Sequence, residues 1–141
     1  MIYTPLTNRA MQIAYEAHHG QTDKCGQPYI FHPYHLAEQM ESEYAVCVAL
    51  LHDVLEDTDF PRSVLAAEFP EEVMVAVDLL THDENVPYLE YVEKLKSNPL
   101  AKAVKLADLT HNCDSTRMPL DGPEVQRRLE EKYRKAFEIL K

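Results

Sequence analysis

Residues 49–58, ALLHDVLEDT, set His52, Asp53, Glu56 and Asp57 among Ala, Leu and Val. On a helix over 43–57, with His52 at zero and about 100° per residue, Glu56 falls near 40°, Asp53 near 100° and Asp57 near 140°. Leu51, Val54, Leu55, Val48 and Cys47 lie on the opposite side, while Ala45 and Ala49 leave room between the charges. An acidic helix often carries such a face simply to meet solvent. This face has no Lys or Arg, however, and crowded carboxylates repel unless a cation or protons intervene. An imidazole with carboxylates one turn away suits a divalent metal, and that donor chemistry favours Mn, Fe or Zn over a thiolate-preferring ion.

A His-Asp pair needs partners from other segments. His32, in YIFHPY, sits between a loop and a Pro-started helix, where its position is rigid. His35 competes with it, but lies one turn into that helix and reads as a surface or packing residue. Asp108, in AVKLADLTHN, interrupts an apolar segment as Asp53 does. It needs either Lys105, one turn back, or a metal.

Helices must position these groups, because 3.6-residue periodicity dominates and no alternating strand or internal repeat stands out. A first helix runs from Thr4-Pro5 or Thr7 to His19, with Leu6, Ala10, Ile13, Ala14 and Ala17 on one face, and Gly20 ends it. QTDKCGQPYIFHP follows as a loop, and Pro33 opens a helix over 33–41. Ser42 caps a helix over 43–57, followed by helices near 61–68, 71–82, 88–97 and 99–112. A last helix over 123–140 turns Val125, Leu129, Tyr133, Ala136 and Leu140 inward, with Glu130–Arg134 and Glu131–Lys135 pairs outside. It reads as a packing helix, and the fold class is all-α.

The 141 residues contain no Gly/Pro/Ser-rich linker, so one domain over 1–141 is expected. Cys25, Cys47 and Cys113 show no CxxC spacing, which fits reduced thiols and a cytoplasmic location. MIYTPLTNRA lacks the basic and apolar regions of a signal peptide, and no apolar run approaches a bilayer span. The formal charge of −10 excludes non-specific binding to nucleic acid or anionic membrane. It also opposes an anionic small ligand unless local cations or a metal offset the field. Oligomeric state is not legible.

His32, then His52-Asp53, then Asp108 follow the H…HD…D order of the HD-domain metal-dependent phosphohydrolases. AHHGQTDKCGQPYIFHP, ALLHDVLEDT and KLADLTHN, in that order, resemble the hydrolase domain of the RelA/SpoT-type alarmone enzymes and their small stand-alone relatives. The resemblance covers about residues 1–115 and implies a single-domain HD-type helical bundle. It implies removal of the 3′-pyrophosphate of guanosine tetra- and pentaphosphate, the nucleotides of the stringent response, with one divalent transition metal, Mn²⁺ foremost. Synthesis is not expected from so short a chain. By position, it implies metal ligation by His32, His52, Asp53 and Asp108. It gives Glu56 and Asp57 to the attacking water and its protons, and Lys24, Asn112 and Ser115 to the nucleotide.

Two departures bear on the substrate. These hydrolases typically have Arg-Lys where this chain has Asp23-Lys24, the Arg lying against the guanine, and an Asp cannot stack as a planar cation does. Leu109-Thr110 stands where Arg-Leu is usual. The alternatives to an alarmone hydrolase are therefore an HD phosphohydrolase for another nucleotide or phosphoester, and a non-catalytic nucleotide- or metal-binding module. The intact Glu56-Asp57 pair speaks against the module.

Overall fold

α3 (Glu43–Leu51) is the axis of the fold, and its sequence, EYAVCVALL, explains why. It is apolar all round, as only a helix covered on every side can be. Every residue from Ala45 to Leu51 is buried. α1 (Pro5–Ala17), α2 (Phe31–Glu38), α6 (Glu71–Leu80) and α8 (Pro99–Asn112) pack around it. α4 (Val54–Asp57) and α5 (Arg62–Glu68) connect α3 to α6, and α7 (Tyr88–Leu95) leads into α8. α9 (Pro123–Leu140) lies against α7 and α8. The computed structural model describes residues 1–117 and 119–141. Among these the fold is all-α: the one β-type pairing is an isolated bridge between Thr22 and Pro28.

The helix starts follow local chemistry. Thr4 and Thr7 cap each other's backbone N–H groups at α1, Ser42 Oγ accepts from Ala45 N at 3.2 Å, and Asn98 Oδ1 accepts from Ala101 N at 3.0 Å. Each satisfies an amide that the first helical turn leaves without a partner. Pro99 and Pro123 occupy first-turn positions where a missing N–H costs nothing. No helix among the described residues is long and apolar enough to cross a membrane.

Three expected helices end two residues early, at Ala17, Leu80 and Leu95, and two others differ more. The second begins at Phe31 rather than Pro33 and ends at Glu38, because Phe31 N and His32 N already bond back to the carbonyls of Pro28 and Tyr29. His32 therefore sits inside its first turn. The expected 43–57 helix is broken at His52-Asp53. His52 Nδ1 lies 2.6 Å from the Ala49 carbonyl, the acceptor that Asp53 N would use in a continuous helix. The imidazole takes that place, and Asp53 leaves helical geometry at φ −107° and ψ 1°. α4 restarts at Val54, so the wheel drawn through Glu56 and Asp57 assumes a helix that the chain interrupts at His52-Asp53. On α9, neither expected charge pair forms among the described residues; Glu130 accepts from Gln126 Nε2 at 3.0 Å instead.

Candidate active site

Three segments bring His32, His52, Asp53 and Asp108 together beneath the mouth of one cavity. α2 supplies His32, the α3–α4 break supplies His52 and Asp53, and α8 supplies Asp108. His32 Nε2 lies 2.8 Å from Asp108 Oδ1. His52 Nε2 lies 3.0 Å from Asp53 Oδ2 and 3.8 Å from Asp108 Oδ1. One donor atom from each of His32, His52 and Asp53 falls within 4.8 Å of the others, and a second such group joins Asp53, Glu56 and Asp57.

The His52 ring is held in one orientation. Its Nδ1–H donates to the Ala49 carbonyl, which leaves Nε2 with a bare lone pair in the neutral ring. That nitrogen is buried, and neither carboxylate contact has hydrogen-bond geometry, so it has no partner. Buried polar atoms are normally satisfied. Burial disfavours an imidazolium here, yet Asp53 and Asp108 outweigh it and lift the His52 pKa well above its usual value. Burial opposes the Asp108 carboxylate too, but Lys105, His32 and His52 hold its pKa well below the usual range. Such a cage favours positive charge at its centre. Two imidazoles and the Asp53 carboxylate, their donor atoms within 4.8 Å of one another and Asp108 beside them, fit a divalent cation.

Neighbouring groups fix this cage. Tyr29 Oη donates to Asp53 Oδ2, while the Tyr29 ring packs on His18 and His32. Burial and the nearby Asp53 push the Tyr29 hydroxyl pKa far up, so it remains a donor. Lys105 Nζ donates to Asp108 Oδ2 at 3.0 Å, and Asn112 Nδ2 donates to Asp108 Oδ1 at 3.1 Å. His32 Nδ1 meets His111 Nδ1 at 2.7 Å. Burial and the adjacent Arg117 lower the His111 pKa to about 4, so His111 is a neutral acceptor. His111 thereby holds the His32 ring at Nδ1, and Nε2 faces the cage. His18 lies buried beneath the loop, bonded to Gln21 Oε1 at 2.8 Å.

The cavity above has a volume of about 440 Å³. Glu56 and Asp57 line it beside the cage, and Glu56 Oε1 accepts from His82 N at 2.6 Å. Burial, and then the Asp53 charge, raises the pKa of both, Asp57 to about 6. Lys24 and Asn112 also line it. Ser115 is not brought there. After α8 ends, Asp114 Oδ1 accepts from Thr116 N and folds the chain into a tight turn that leaves Ser115 exposed and outside the cavity lining. Leu109 is wholly buried and Thr110 faces outward, its hydroxyl donating to the Leu106 carbonyl, so that departure lies away from the cavity.

Several wall residues carry no signal in the sequence. Arg117 lines the cavity, as do Gln126, Leu129, Lys132 and Tyr133 of α9. The expected packing helix is thus also a wall, and Lys132 on it had no periodic signal to mark it. Tyr29, three residues before His32 in PYIFH, was legible only as part of a loop.

No protein-family model matches the sequence. The chain is 34% identical to the human guanosine-3′,5′-bis(diphosphate) 3′-pyrophosphohydrolase MESH1 over 131 residues, covering 84% of this chain and 73% of that one. It is 34% identical over 122 residues to the Streptomyces coelicolor GTP pyrophosphokinase, and equally so to the Borreliella burgdorferi guanosine-3′,5′-bis(diphosphate) 3′-pyrophosphohydrolase. The chain spans only 14% and 18% of those two proteins. A solved structure described as a metazoan ortholog of SpoT that hydrolyzes ppGpp superimposes with a TM-score of 0.83 over the whole chain and 88% of its own, at 24% identity, a likeness of fold. The chain belongs to the family of HD-type hydrolases that includes MESH1 and the hydrolase regions of the RelA/SpoT-type enzymes.

Proposed function

We propose that this chain is a metal-dependent 3′-pyrophosphohydrolase acting on guanosine 3′,5′-bis(diphosphate), working as one HD-type domain over 1–141 in the cytoplasm. The observation that carries this reading is the buried, unpartnered His52 Nε2 facing Asp53, Asp108 and His32 at the floor of a nucleotide-sized cavity. The activity named for MESH1 supports the choice of substrate.

His32, His52, Asp53 and Asp108 would hold one divalent cation, Mn²⁺ foremost, since mixed imidazole and carboxylate donors suit a borderline transition metal. When bound, it would supply Lewis-acid charge stabilisation and lower the pKa of water near the phosphorus. Glu56 and Asp57 orient the attacking water and receive its proton, with pKa values raised toward the working range. The water oxygen bonds to the phosphorus attached at the 3′-oxygen, the P–O3′ bond breaks, and the proton ends on the 3′-oxygen. Pyrophosphate and guanosine 5′-diphosphate leave. Lys24 and Lys132 offset phosphate charge at the wall, which answers the opposition of a chain of net charge −10 to an anionic ligand. Asn112 reaches the nucleotide from the end of α8.

Elemental analysis of gently purified protein, beside His52→Ala, tests the centre. One equivalent of transition metal is expected in the parent and a large loss in the variant, with pyrophosphate release from guanosine tetraphosphate lost in parallel. Equal metal content in the two would refute the ligand set.

A further inference from the structure

The Asp23 carboxylate is fully engaged. Its Oδ1 accepts from Cys25 N at 2.9 Å and Gln27 N at 3.0 Å, shaping the loop between α1 and α2. Its Oδ2 accepts from Arg117 Nη2 at 3.2 Å, across 94 positions of sequence. Arg117 Nη1 donates to the His111 carbonyl at 2.8 Å. Two further contacts clasp the same segments, from Leu120 N to the Lys24 carbonyl at 2.8 Å and from Cys25 Sγ to the Arg117 carbonyl at 3.1 Å. Asp23 therefore does not present a free negative charge to a polyphosphate.

The guanidinium is pinned by its edges, and edge donors leave its two faces available for a planar group. Other flat surfaces around the cavity are in use. Lys132 Nζ sits over the Tyr88 ring at 4.3 Å and near Tyr133 at 5.9 Å. Lys105 Nζ stands 5.4 Å from the Tyr91 ring, and His82 stacks on Tyr91 at 4.5 Å. Tyr29 is packed between His18 and His32. Arg117 is the only arginine among the described residues lining the cavity, and no aromatic ring covers it among those described. Its charge is balanced by Asp23, so it is poorly suited to clamp a phosphate while Lys24 and Lys132 stand unpaired by any carboxylate among the described ion pairs.

We propose that Arg117, held by Asp23 and the His111 carbonyl, is the platform on which the substrate's nucleobase stacks, so that Asp23 serves base recognition by positioning Arg117. This rests on the nucleotide reading of the cavity given above. Calorimetric titration with nucleoside diphosphates, GDP first, and separately with inorganic pyrophosphate tests it without any turnover, on the metal-loaded protein and its Arg117→Ala, Arg117→Lys and Asp23→Asn variants, each checked by thermal melting. Arg117→Ala should weaken GDP binding about tenfold or more, the scale of one stacked base, and leave pyrophosphate affinity unchanged. Arg117→Lys keeps the charge but not the plane, and should fail to restore GDP affinity. Asp23→Asn keeps both amide contacts and frees the guanidinium, so GDP binding should weaken several-fold. Rescue by Lys, an equal loss for pyrophosphate, tighter GDP binding in Asp23→Asn, or no nucleotide binding by the parent would each overturn the proposal. Turnover of guanosine tetraphosphate, assayed separately, decides the hydrolase reading: a parent that binds GDP through Arg117 yet does not turn over would refute that reading alone.

Discussion

Glu56→Gln separates proton handling from every other job near the cage. Glu56 Oε1 accepts from His82 N at 2.6 Å, and the Gln carbonyl oxygen can keep that bond. The substitution removes no buried apolar surface and breaks no ion pair among the described residues, so stability should move by no more than about 0.5 kcal/mol. The metal should stay, because His32, His52, Asp53 and Asp108 are untouched. What disappears is a carboxylate beside Asp53 and Asp57 whose pKa burial has raised, a group that can take a proton from water. General-base work is worth roughly 10²–10⁴-fold. At about 1.36 kcal/mol per tenfold this is about 2.7–5.4 kcal/mol in the barrier. The assay is single-turnover hydrolysis of guanosine tetraphosphate, with metal content and binding measured on the same sample. Normal turnover with full metal refutes the role. Lost metal would instead make Glu56 a ligand and break the four-residue set. A loss under tenfold, beside a large loss in Asp57→Asn, would move the proton to Asp57.

Lys105→Met leaves the Asp108 carboxylate, 8% exposed, without its cation, and breaking a buried pair from one side costs about 3–5 kcal/mol; urea unfolding should show this loss, and a change under 1 kcal/mol would mean that His32 and Asn112 suffice to hold Asp108. Burial lowers the His18 pKa below its ordinary 6.5, so the unfolded chain binds the extra proton as pH falls. The resulting stability is fully present above pH 6.5 and declines below it. His18→Gln should flatten that part of the stability–pH curve, and an unchanged curve would assign the acid sensitivity elsewhere.

Much of this fold is written in short-range signals. Pro99 marks the start of α8, and Ser42 announces a cap that the structure uses. The cage residues were legible because apolar helices do not carry His52, Asp53 and Asp108 without reason. The break at His52 was not, since it depends on a ring bonding its own helix's carbonyl, which periodicity does not encode. Nor was Arg117: it follows α8 in an irregular segment, and only the folded chain brings it to Asp23. The amphipathic stripe of α9 reported that one face is covered, but not that Leu129 and Tyr133 cover a cavity. Ser115 followed the family's spacing, and the Asp114 turn carries it away.

The bond from His52 Nδ1 to the Ala49 carbonyl makes helix termination and lone-pair presentation a single event. A ring flip would surrender both at once, pulling Nε2 from the cage and returning the carbonyl to the backbone ladder. The register of α3 is consequently interlocked with the centre's chemistry: one residue inserted or deleted between Ala49 and His52 would misplace the imidazole even if every apolar contact around the axis re-formed. Such an indel would leave the centre idle even in a chain that folded, so the length of this helix is constrained by the imidazole at its end as well as by its packing.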